Sequence, residues 1–115
     1  MSKSPIIYVG HILTCINSIL DYTSGMNDSE FLDNKLIQDA VLRNFEVIGE
    51  ATKQIDESFR AKYPHVPWRR MAGLRDKLIH DYMGVDLWAV WQVIADILPQ
   101  QKIDIESILR AETPL

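Results

Sequence analysis

Residues 68 to 84 read WRRMAGLRDKLIHDYMG, where Arg69, Arg70, Arg75 and Lys77 place four cations in nine positions ahead of His80 and Tyr82. Arginine grips a phosphate through parallel N–H donors, and histidine exchanges a proton near neutral pH. Together these residue types describe a small anion-binding cleft with an acid–base group in it, and the substrate that suits it is a phosphodiester. On a helix, Asp76 and His80 are four apart and therefore neighbours. A carboxylate there can fix the imidazole tautomer and raise its pKa. Arg75 and His80, five apart, lie about 140° from each other around an ideal helix and share no face. Two arrangements would reconcile them. The long arginine stem curls toward a common ligand, or a twofold dimer packs this helix against its mate so that one groove receives residues from both chains. The plainer reading is a solvated charged face with Arg75 paired to Asp76 or Asp81, and spacing alone leaves these readings open.

Other chemistries find little footing. The five glycines are scattered and form no phosphate-cradling loop. His11, His65 and His80 have no paired ligand spacing, so no metal site and no cofactor are expected. His11 reads as a partly buried helix residue, and His65, between Pro64 and Pro67, as a solvated loop residue. The single cysteine, Cys15, sits among Ile12, Leu13, Ile16 and Ile19 and reads as a small core residue in a reducing compartment. A net charge of -4 argues against a protein that coats nucleic acid with its whole surface, but leaves room for a local basic patch. No uninterrupted apolar run of about 18 residues is present, so no membrane span is expected. The apolar stretch after Lys3 continues in helical rhythm with no cleavage signal, which points to a cytoplasmic protein.

The elements that must position the cluster are helices. Ser4 is an expected N-cap with Pro5 in the first turn, and Ile12, Ile16, Ile19 and Leu20 mark a first helix ending near DYTSGMND. A longer second helix is predicted from Ser29 or Asn34 to Ile55, its apolar set being Leu36, Ile37, Ala40, Val41, Phe45, Ile48 and Ala51. Residues 56–68 read as a short helix broken by Pro64 and Pro67. A third long helix starts near Trp68 and ends around Met83 and Gly84. Asp86 caps the next, which Pro99 closes, and DIESILRAE suggests a last short helix. With no alternating strand pattern and short connections, the 115 residues predict a single all-α domain, an antiparallel bundle of four to five helices.

The string RDKLIHDY resembles the R-x4-H-x-Y motif of the HepT-type ribonuclease toxins, a branch of the HEPN superfamily. LIQDAVLRNFEVIGEATKQI and the run from Tyr63 to Val93 are similar to that family as well, so the resemblance covers roughly residues 6 to 110. It implies an all-α homodimer in which the motif of each chain lines a shared cleft. The implied activity is RNA cleavage without a metal, with His80 activating the ribose 2′-hydroxyl and Arg75 holding the scissile phosphate. It further implies a partner, a minimal nucleotidyltransferase antitoxin that transfers AMP from ATP onto Tyr82. Arg69, Arg70, Lys77 and Asp76 would support the site, the last on spacing alone. The roles of Arg43, Asn44, Glu46 and Glu50 stay open between the cleft and a solvated face. The alternative is a non-catalytic subunit that holds a nucleotide or other substrate for a nucleotidyltransferase.

Overall fold

The computed structural model describes residues 4–80 and 86–113, with side chains between these limits except those of residues 75–80. All regular structure among the described residues is helical: α1 Pro5–Thr23, α2 Asp28–Leu32, α3 Lys35–Lys53, α4 Glu57–Lys62, α5 Trp68–His80, α6 Leu87–Gln92, a π-helical turn Val93–Ile97, and α7 Leu98–Glu112. Four long helices form the expected bundle, and the short α2, α4 and α6 are built into its connections. Helix α1 packs on both α3 and α7, while α3 packs on α5.

Local chemistry sets most of these boundaries. Asn34, Asp56 and Asp86 each accept a hydrogen bond from the backbone N–H three residues on, at 3.0, 2.9 and 3.0 Å, and so cap α3, α4 and α6. Asn27 and Glu30 form a reciprocal capping box on α2. The second helix therefore starts at its Asn34 cap, with α2 a separate turn ahead of it. Gln38 joins the two, its amide donating to the carbonyls of Phe31 and Leu32 at 3.0 Å each. Ser4 does occupy the N-cap of α1 with Pro5 behind it, but its side chain makes no capping bond. Gly25, at φ 77°, turns the chain out of α1 in the left-handed conformation that glycine adopts without a Cβ clash.

The core draws Val9, Ile12, Ile16 and Ile19 from α1, Val41, Phe45 and Ile48 from α3, and Leu98, Ile105 and Ile108 from α7. Three expectations need correction. Leu36, counted among the apolar face of α3, is 79% exposed because it lies about 140° to 180° around the helix from the buried Val41 and Phe45, on the solvent side with Asp39 and Arg43. His11 is exposed, with its ring edge-on to Tyr8 at 6.3 Å between centroids. Pro99 closes nothing. It lies in the first turn of α7, where a missing N–H costs no helical bond, and α7 is a long helix starting at Leu98.

The C-terminal end of α7 anchors the approach to α5. Lys62 Nζ lies 2.8 Å from Glu112 Oε2, and the Tyr63 hydroxyl donates to the same carboxylate oxygen. Tyr63 in turn accepts, through its carbonyl, the indole N–H of Trp68 at 3.0 Å. The hydrogen bond from Lys62, then that from Tyr63, holds the Glu112 carboxyl below its ordinary pKa. A depressed carboxylate stabilises the fold above its unfolded pKa and stops doing so as pH falls through the folded value. Glu112→Gln should therefore lower Tm modestly at pH 7, and the gap between parent and variant should close as pH drops below about 4. A gap that persists in acid would mean the carboxylate charge is not what matters there.

Candidate phosphodiester site on α5

Helix α5 is held by its first turn. Trp68 and Met71 are 6% and 1% exposed, and they pin this end of the helix in the core. Between them Arg69 and Arg70 are exposed to solvent. The backbone then runs helically to His80, so Arg75, Asp76, Lys77 and His80 ride on the same rod. At about 1.5 Å per residue, Arg75 and His80 stand roughly 7.5 Å apart along its axis. The side chains of these four residues, and Tyr82 entirely, lie outside the described residues. The expected Asp76–His80 contact lies there with them.

On α3, Arg43 Nη1 reaches Glu46 Oε2 at 3.5 Å, a long and exposed pair of little energetic weight. Asn44 donates to the carbonyl of Ala40, one turn back on its own helix, at 2.8 Å. Arg43, Asn44 and Glu46 are thus engaged within α3. Cys15 is buried in α1, and burial pushes its thiol above the ordinary range against the opposing pull of Arg43. A thiol so placed is a poor nucleophile. Among the described residues, no group of three or more His, Cys, Asp or Glu side chains could hold a metal ion. No described helix is long and apolar enough to cross a membrane.

Beside the first half of α5 lies a cavity of about 400 Å³, bounded on its far side by the π-turn and Gln101 of α7. Sequence reasoning passed over it. The available signal was Gln101 itself, a polar residue spaced three, four and seven from the buried Leu98, Ile105 and Ile108 of α7.

Residues 12–108 match the family described as Ribonuclease HepT-like. A Methanocaldococcus jannaschii protein provisionally named an RNase is 46% identical over 99 residues, which are 86% of this chain and 85% of that protein. A Thermococcus cleftensis protein named a probable ribonuclease HepT is 39% identical over 108 residues, covering 94% of this chain and 98% of its own. A third, from Caldanaerobacter subterraneus and also provisionally named an RNase, is 36% identical over 110 residues, 96% of this chain and 98% of that one. No solved structure matches the chain.

Proposed function

We propose that this chain, which belongs to the HepT-like ribonuclease family, cuts RNA without a metal through Arg75 and His80 and serves as the toxin of a toxin–antitoxin pair. The activity class, endoribonuclease, comes with the family. The observation that carries the residue assignment is α5, a single helix running from the exposed Arg69 and Arg70 through Arg75 to His80. Phosphate-gripping and proton-transferring residue types therefore share one rigid element, which is what orientation of a reacting phosphodiester requires.

In this mechanism His80 takes the proton of a ribose 2′-hydroxyl, and the freed oxygen attacks the adjacent phosphorus. The bond from phosphorus to the 5′-oxygen of the next nucleotide breaks, and that oxygen leaves with the proton that the His80 imidazolium returns to it. A 2′,3′-cyclic phosphate remains on one fragment and a 5′-hydroxyl on the other. The Arg75 guanidinium offsets the charge that builds on the non-bridging oxygens. The nucleophile belongs to the substrate, so no metal-bound water is needed.

A homodimer would bring two copies of α5 to one cleft and reconcile the faces of Arg75 and His80. In the pairing with a minimal nucleotidyltransferase, AMP placed on Tyr82 fills the anion site and repels RNA.

The test is cleavage of total RNA by the purified chain in EDTA. The parent should cut, and Arg75→Ala should be slower by about 10²- to 10³-fold, the usual loss when one donor to a developing oxyanion is removed. An Arg75→Ala protein that cuts at the parent rate would remove Arg75 from the site.

A further inference from the structure

We propose that the cavity beside the start of α5 is a base-selecting subsite for the RNA strand, in which the Gln101 amide reads the edge of an adenine and Arg70 holds the adjoining phosphate. This rests on the ribonuclease reading above. At about 400 Å³ the cavity lies within the range of sites that take small organic groups. Its walls are apolar: Met71 and Leu74 from α5 face Val93 and Ile97, the two ends of the π-turn. That turn exists because the N–H of Leu98 bonds the Val93 carbonyl five residues back, just ahead of Pro99, which has no N–H to give. Such widened turns recur at functional sites. A flat heterocycle packs between apolar side chains of this kind.

Gln101 supplies the polar feature. It is 9% exposed, lines the cavity, and its amide makes no hydrogen bond with a described residue. The other buried glutamine, Gln38, spends its amide on two carbonyls. No hydrogen bond to a described residue occupies this amide, so a ligand in the cavity that brings a donor and an acceptor side by side can bond it. The N6 and N7 edge of adenine does this, and a glutamine amide meets it with two bonds. Arg70, exposed and also lining the cavity, adds the charge that a nucleotide phosphate needs.

Gly73 makes the room. A Cβ built there meets nothing within 4 Å, so the position tolerates a side chain, and glycine leaves the wall open. Gly73 and His80 are seven apart, hence within about 20° of each other around α5 and roughly 10 Å apart along it. Gly73 marks the edge of the cavity nearest His80, while Arg70, Leu74 and Met71 lie about 80° to 180° around the helix from His80, so a strand joining the two winds partly around α5 as it runs along it.

The experiment is calorimetric titration of the full chain with AMP, GMP, CMP and UMP in EDTA, with circular dichroism on every variant to check the fold. AMP should bind at least about tenfold tighter than CMP or UMP, and Gln101→Leu should erase that preference. Arg70→Ala should weaken all four nucleotides alike. Gly73→Leu, which fills the cavity without a clash at Cβ, should abolish AMP binding. Equal or absent binding of the four nucleotides by a parent that cuts RNA would overturn the subsite while leaving the ribonuclease reading intact. So would a Gly73→Leu protein that binds AMP normally, or one whose only change is a lost dimer, since a second copy would then be the occupant. A parent that binds AMP through Gln101 but leaves RNA uncut would uphold the subsite and overturn the ribonuclease reading.

Discussion

His80→Ala is expected to cut RNA about 10²- to 10⁴-fold more slowly than the parent, the range lost when a positioned acid–base group is removed. In the proposed reaction the attacking hydroxyl belongs to ribose and holds its proton tightly at neutral pH, so a positioned base is needed to take it. Along α5, His80 lies nine and twelve residues beyond the Met71 and Trp68 anchors that hold the helix in the core. Its loss should therefore leave the Tm near that of the parent. A variant that keeps RNA binding but not cleavage separates catalysis from affinity, and parallel losses of both would point to a binding role. A His80→Ala protein with parental cleavage rates would strike His80 from the mechanism.

The second large effect concerns Tyr82. With the nucleotidyltransferase co-expressed, the parent chain should be silenced and Tyr82→Phe should remain toxic to the cell. In the proposed silencing step the tyrosine oxygen attacks the α-phosphorus of ATP, forming a phosphodiester as pyrophosphate leaves. Each AMP so attached brings a negative phosphate within two residues of His80, where an RNA phosphate must sit. Phenylalanine keeps the ring but lacks the oxygen that is modified. Silencing of Tyr82→Phe as complete as that of the parent would show that the antitoxin acts by another route.

The helices were legible wherever a boundary is made by neighbouring residues. Asn34, Asp56 and Asp86 cap the backbone three residues on, a relation confined to one turn and open to sequence reading. Pro99 shows the limit of that logic. A proline after an apolar helical run reads as a stop, yet in the first turn of a following helix it costs nothing, and the π-turn ahead of it leaves the apolar rhythm almost unchanged. Leu36 and His11 went the other way because an apolar neighbourhood was read as a buried face: by helical angle Leu36 sits with Asp39 and Arg43, and His11 with Ile7 and Thr14, each about 100° or more from the centre of its helix's buried stripe.

At the site, residue type and spacing raised Arg75 and His80 but left a solvated charged face open, and the resemblance to the R-x4-H-x-Y motif is what singled them out. The cavity did not stand out. Its contributors come from α5, the π-turn and α7, and only the folded chain brings Arg70 and Gln101 to one space. A lone glutamine on a buried stripe carries no chemistry until its surroundings are known, and here those surroundings are apolar and open.

The central claim, that the ribose 2′-hydroxyl is the nucleophile, is tested most directly with one RNA substrate whose cleavage position has been mapped. Replacing the ribose 5′ to the cut by deoxyribose, in EDTA, should stop cleavage at that linkage while neighbouring cuts continue and end in 2′,3′-cyclic phosphate. Continued cleavage at the deoxy position would contradict the account, because the attacking oxygen would then have come from elsewhere.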